Sequence, residues 1–184
     1  MDFLQKIKSA TSDIHYKIEN NSFFSKIVLQ EITIVEYTKL LCQLHQFISP
    51  RELYIKNQYG DLISDREKSP LLLSDLSAMG CDEIENENEP LEIRSAAEAF
   101  GYLYVIEGST LGGQVLTQFL KKNKKLSPYV SVNYFNAYGK HTKRNWALFL
   151  NELSEKNNDL EKQNRVINSA LHTFTQLFNL VKIA

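Results

Sequence analysis

Two groups of residues in this chain are of types that do chemistry. The first is His15 with Glu19 one helical turn later, in the run Lys8-Ser-Ala-Thr-Ser-Asp-Ile-His15-Tyr-Lys-Ile-Glu19. Residues four apart on a helix are neighbours, so the Glu19 carboxylate is placed to accept a hydrogen bond from the Nδ1–H of His15. Nε2 is then left with a free lone pair, the form a metal needs. The second group is Gly108, Gly112 and Gly113, in Tyr104-Val-Ile-Glu-Gly-Ser-Thr-Leu-Gly-Gly-Gln114. Glycine inside a helix costs about 1 kcal/mol relative to alanine, so three close together predict a loosened, kinked segment. Gly108 and Gly112 share one face, a bare strip that a flat ligand or another backbone can approach closely. Ser109 and Thr110 beside them can bond back to carbonyls freed at a kink. Position alone leaves both groups open, because a histidine on an apolar stripe is commonly a core residue and paired glycines commonly serve close helix packing.

The elements that must hold these groups are helices. Glycine and proline are scarce, seven and four in 184 residues, and the apolar residues recur at spacings of three and four, which predicts an all-α fold in a single domain over residues 1–184. A first helix from about Asp2 to Glu19 carries a stripe of Leu4, Ile7, Thr11, Ile14 and Ile18. His15 lies on its edge, aimed at the core or a cavity rather than bulk water. A short helix over Phe23–Leu29 follows, then a long one opened by Thr33 and Glu36 as a capping box. Pro50 is expected to kink or end that helix. Cys42 and His45 are three apart on it, without the second ligand pair a metal site requires.

Ser69-Pro70 predicts a helix start, with Ser69 as the cap, and Gly80 a stop after Leu71–Met79. The acidic run Asp82–Glu89 before Pro90 reads as an interhelical loop. The glycine-bearing helix is expected from Leu91 to about Lys122. A turn at Asn133–Gly139 comes next, then an amphipathic helix at Thr142–Leu153 with Trp146, Phe149, Leu150 and Leu153 inward. A last helix spans about Asn158–Lys182.

Composition bounds the partners. Lysine plus arginine total 21 and aspartate plus glutamate 22, a balance that implies neither nucleic acid nor an anionic membrane surface. No apolar run approaches spanning length and the N-terminus lacks a signal-peptide core, so the expected location is cytoplasmic. Cys42 and Cys81 read as isolated, reduced thiols.

The segment Tyr104–Gln114 resembles the distal helix of the heme oxygenases, in particular the bacterial type associated with bacteriophytochromes, and Lys8–Glu19 is similar to their first helix. The likeness runs from about Leu4 to Val181, and the Glu107–Gln114 motif is its more specific part. It implies a heme oxygenase-like helical bundle in which His15 is the proximal ligand to heme iron, Glu19 orients it, and the glycine strip of Gly108, Gly112 and Gly113 lies over the opposite heme face. Lys8 matches a position that meets a heme propionate. Tyr138-Gly139 with Thr142 and Trp146 is similar to the same bacterial group. Lys143 stands where glycine is frequent there, which makes Lys140, Lys143 and Arg144 candidates for pairing with propionates through charge-assisted bonds. The implied reaction is oxidative opening of heme, both substrate and cofactor, to biliverdin, CO and ferrous iron with O₂.

No flavin- or nicotinamide-binding glycine loop after a strand is visible, so an external reductase or ferredoxin must supply electrons. A bacteriophytochrome is the implied bilin acceptor. The sequence departs from the eukaryotic pattern at Ser109, which stands where an aspartate anchors the water network on the O₂ side. A hydroxyl still orders water but carries no charge. The alternatives are a heme or bilin carrier that does not degrade the ring, and a thiaminase-like or di-iron enzyme on the same scaffold. No Glu-x-x-His pair, which a di-iron site uses, occurs.

Overall fold

Residues 2–81, 93–126 and 130–182 are described in the computed structural model. The acidic run Asp82–Glu89 and the expected helix start at Leu91 lie outside them. Seven α-helices are seen among the described residues: α1 Phe3–Asn20, α2 Phe23–Val28, α3 Ile34–Ile63, α4 Ser69–Ala78, α5 Ala96–Lys122, α6 Thr142–Lys156 and α7 Leu160–Val181. A 3₁₀ turn at Gly139–His141 leads into α6.

The starts of these helices follow local chemistry. Asp2, Ser95 and Asp159 each accept a backbone N–H of the first turn of α1, α5 and α7, which satisfies donors that the helix itself leaves unpaired. Thr33 and Glu36 form the reciprocal capping box at α3. The start of α4 differs from expectation. Ser69 is already helical and the cap position is Lys68, which offers no side-chain acceptor. The carboxylate of Glu52, from α3, takes the N–H of Lys68 at 2.6 Å and the N–H and hydroxyl of Ser69 at 2.9 and 2.6 Å. A cap supplied from another helix leaves no local sequence signal.

Pro50 does not end α3. The non-helical dihedrals fall at Tyr59 (φ −140°, ψ 46°) instead. Phe47, Ile48, Arg51, Glu52 and Ile55 are buried on both sides of the proline, and burial of that stripe, about 1.5–3 kcal/mol per large apolar side chain, outweighs the one hydrogen bond Pro50 removes.

At the centre lies α5, which packs most heavily on α7 and also touches α2, α3 and α6. Its first half is buried nearly all round, from Ala97 to Glu107. Gly101 is what lets α7 come so near. A Cβ there would stand 2.5 Å from the Val166 carbonyl oxygen and 2.6 Å from Ser169 Cβ, and the Ser169 hydroxyl donates to the Glu98 carbonyl across the seam at 2.7 Å. On the facing side α7 buries Val166, Ala170, Thr173, Phe174, Leu177 and Val181, a helical stripe. α1 also packs on α7, while α1 and α5 make little direct contact with each other. No helix among the described residues is long and apolar enough to cross a membrane.

Candidate functional site

The two chemically suggestive groups lie on α1 and α5, helices joined at one point. The Tyr104 phenol, half-buried on α5, is paired with the Thr11 hydroxyl on α1. One turn beyond Thr11 comes His15, and one turn beyond Tyr104 comes Gly108. At the far end α1 leads into α2, which packs back on α5. The two helices therefore share a common floor in α7 and are tied at Thr11–Tyr104 and through α2.

His15 is more open than its place beside an apolar stripe suggests. Its side chain is 53% exposed, with the ring edge against Phe174 of α7 at a centroid distance of 5.7 Å. Nδ1 stands 3.6 Å from the Glu19 carboxylate, itself 61% exposed. That is ion-pair distance, just beyond a hydrogen bond. The carboxylate is on the Nδ1 side, as the spacing requires, so Nε2 is the nitrogen turned to other partners.

The glycines behave differently from one another. The kink expected at the glycines is not seen: α5 is one helix from Ala96 to Lys122, and the Ser109 and Thr110 hydroxyls donate to the carbonyls of Ile106 and Glu107 at 2.7 and 2.6 Å. A Cβ at Gly112 would meet nothing within 4 Å, whereas one at Gly108 would touch the Trp146 indole at 3.4 Å. Gly113 does not share that open face: its Cβ would stand 2.5 Å from the Phe135 carbonyl oxygen. Close passage of the 130–138 backbone accounts for the missing side chain at Gly113. The strip is therefore bare at Gly112 and edged at Gly108 by Trp146, whose ring packs with Tyr104 and Phe149 at centroid distances of 5.4 and 5.6 Å.

Residues 131–138 run along α5 and fix it from outside. Asp75, fully buried, accepts the Ser131 hydroxyl and the N–H groups of Asn133 and Tyr134. The Tyr134 phenol meets the Ser109 hydroxyl, and burial holds that phenol well above its usual pKa. The Ser109 donor is spent on Ile106, so toward a ligand this hydroxyl offers chiefly an acceptor.

One turn inward, Glu107 is 1% exposed and paired with Lys68, also 1% exposed, at 2.6 Å. The Tyr138 hydroxyl lies 2.9 and 3.0 Å from the two Glu107 oxygens. Sequence reasoning missed this ion pair, because its members are far apart in the chain and each looks like a surface charge.

Lys8, Lys140, Lys143 and Arg144 are exposed, and none has an acidic partner among the described residues. The cysteines are not isolated from each other: their Sγ atoms are 3.9 Å apart. Burial pushes the Cys42 thiol up to about 11, which keeps it protonated. His45 is buried with neither ring nitrogen hydrogen-bonded, and burial lowers its pKa, so it stays neutral. Among the described residues no three His, Cys, Asp or Glu side chains are grouped to hold a metal ion. A cavity of about 860 Å³ opens elsewhere, between the end of α3 and the starts of α5 and α7, and includes none of the residues on the glycine strip.

Comparison with known proteins bears on the family and the fold. A family model described as "Heme oxygenase" matches residues 1–182. Among solved structures, the NO- and CO-bound heme oxygenase of Neisseria meningitidis superposes with a TM-score of 0.75 at 19% identity, covering 98% of this chain and 90% of that one. Heme oxygenase from Leptospira interrogans superposes with a TM-score of 0.78 at 13% identity, covering 98% of both chains. A search of curated proteins gives no match.

Proposed function

Because the chain belongs to the heme oxygenase family, we propose that it opens heme oxidatively to biliverdin, CO and ferrous iron, with His15 as the residue that would hold the iron and Gly112, with Gly108 beside Trp146, as the bare surface that would receive the ring. The observation that carries this reading is the open side of Gly112, a mid-helix glycine whose missing side chain no neighbour among the described residues explains. A glycine kept at a helix cost of about 1 kcal/mol without a packing neighbour fits a surface reserved for a ligand. The residues present suit heme: an exposed imidazole with a carboxylate beside Nδ1, a side-chain-free surface on the companion helix, and exposed cations.

Heme supplies the redox-active iron and the carbon skeleton that is cleaved. His15 would hold the iron through Nε2, and Glu19, 3.6 Å from Nδ1, would orient the ring. Ser109, engaged by Ile106 and Tyr134, holds a water by its remaining acceptor capacity. Lys8, Lys143 and Arg144, all exposed, would pair with the propionates at the solvent edge, each worth little alone in water. Trp146, Tyr104 and Phe149 form an aromatic wall beside the strip. Electrons come from a reductase or ferredoxin, the setting is cytoplasmic, and the bilin passes to an acceptor such as a bacteriophytochrome.

The test is to add heme to the purified chain, then a reductant in air. Decay of the Soret band with growth of a biliverdin spectrum supports the proposal. A stable ferrous heme spectrum would make the protein a carrier, and no Soret shift on heme addition would remove both readings.

A further inference from the structure

The buried ion pair beside the glycine strip has a form that stability alone does not explain. Taking two charges out of water is expensive, and buried pairs are often no better for stability than apolar residues of the same shape. Lys68 and Glu107 are nonetheless both sealed from solvent, and they gather three separate pieces of chain. Lys68 Nζ donates to the Arg66 carbonyl at 2.5 Å, to Glu107 at 2.6 Å and to the Tyr138 phenol at 2.9 Å. The Tyr138 hydroxyl donates in turn to Glu107. Burial and the Glu107 charge raise the phenol's pKa, so the proton stays on Tyr138 and the bond persists.

Each member is placed where movement would matter to the strip. Glu107 immediately precedes Gly108. Tyr138 immediately precedes Gly139, whose positive φ of 50° turns the chain into α6, the helix that carries Lys143, Arg144 and the Trp146 ring over Gly108. Lys68 opens α4 and is itself fixed by Glu52 through its backbone N–H. A helix segment rich in glycine is soft, and this part of α5 contains three within six residues.

We propose that Lys68, Glu107 and Tyr138 form a positioning clamp that fixes the glycine strip of α5 relative to the basic turn entering α6, and so sets how the flat ligand is seated on the strip with its edge toward that turn. The second half rests on the heme reading given above. The first half is a property of the protein by itself. Tyr138 is the member whose removal tests it most cleanly. Tyr138→Phe deletes one oxygen and keeps the ring, whereas Glu107→Ala strands Lys68 and endangers folding.

The clamp is read on the ligand-free full chain by amide hydrogen exchange. Tyr138→Phe is expected to speed exchange at least tenfold in peptides covering Glu107–Gln114 and Tyr138–Arg144, with α3 and α7 unchanged and the far-ultraviolet dichroism retained. Exchange within twofold of wild type in those peptides would overturn the clamp. A double variant, Lys68→Met with Glu107→Leu, restores a folded core without the hydrogen bonds and is expected to show the same local acceleration. Seating is read separately with heme and reductant, by the ratio of biliverdin isomers formed. Tyr138→Phe is expected to raise the minor isomer at least threefold, and an unchanged ratio alongside accelerated exchange would overturn the seating half. Failure of the wild-type chain to bind heme would overturn the proposed function and the seating half with it, while the exchange result would still decide the clamp.

Discussion

Replacing Gly112 by alanine separates a glycine kept for a ligand from one kept for the fold. The Gly112 backbone is helical, and an added Cβ has no neighbour within 4 Å. The substitution therefore gains helix propensity, about 1 kcal/mol, with no steric penalty to offset it. For a domain of this size that raises the melting temperature of the ligand-free protein by roughly 2–4 °C. The same methyl stands on the face proposed to meet the heme plane, so heme affinity should fall at least tenfold, about 1.4 kcal/mol. Gly113→Ala is the internal control. Its Cβ would lie 2.5 Å from the Phe135 carbonyl oxygen, and overpacking of about 1–3 kcal/mol cancels or exceeds the propensity gain. The assays are thermal unfolding without ligand and titration with heme. Stabilisation by Gly112→Ala and none, or a loss, by Gly113→Ala, with affinity lost at Gly112, is the expected result. Destabilisation by Gly112→Ala, or heme binding as tight as wild type, would refute the reasoning.

Other substitutions probe the framework. Glu107→Ala leaves Lys68 buried without its counter-charge and should cost about 3–5 kcal/mol in urea unfolding, with most of it recovered in the Lys68→Met, Glu107→Leu double variant. Glu36, held at about 2 rather than the usual 4.5 by Lys26 and the capping box, contributes stability above pH 4.5 that is lost as pH falls toward 2. Glu36→Gln should lower stability at neutral pH, flatten the acid-unfolding curve between pH 4.5 and 2, and converge with wild type near pH 2. Cys42, with its thiol raised to about 11 by burial, should react with iodoacetamide at pH 8 on the order of a hundredfold more slowly than an unhindered thiol, and at an ordinary rate once the chain is unfolded.

Much of the architecture was legible because it is written in local pattern. The stripe of α7 and the capping box of α3 are periodic or short-range features, and each appears where the spacing places it, whereas the kink expected from the glycine cluster of α5 does not. What the sequence hid depends on contacts between distant segments. Glu52 caps α4 from another helix, so Ser69 is not the cap its type suggests. Buried packing carries α3 past Pro50 to Tyr59. Gly101 is the tight seam with α7 although nothing around it resembles a motif. At the site, the pairing of His15 with Glu19 was readable from a spacing of four, but its open surroundings were not, since exposure depends on how α1 and α5 diverge. The three glycines looked equivalent in sequence. Trp146 and Phe135, brought from later in the chain, are what make them differ.

The claim on which the rest depends is that His15 supplies the nitrogen to heme iron. The direct measurement is resonance Raman spectroscopy of the ferrous heme complex, comparing wild type, His15→Ala, and His15→Ala with added imidazole. The account predicts an iron–imidazole stretching band that is present in wild type, absent in the variant and regained with imidazole. The same band undiminished in His15→Ala would contradict it.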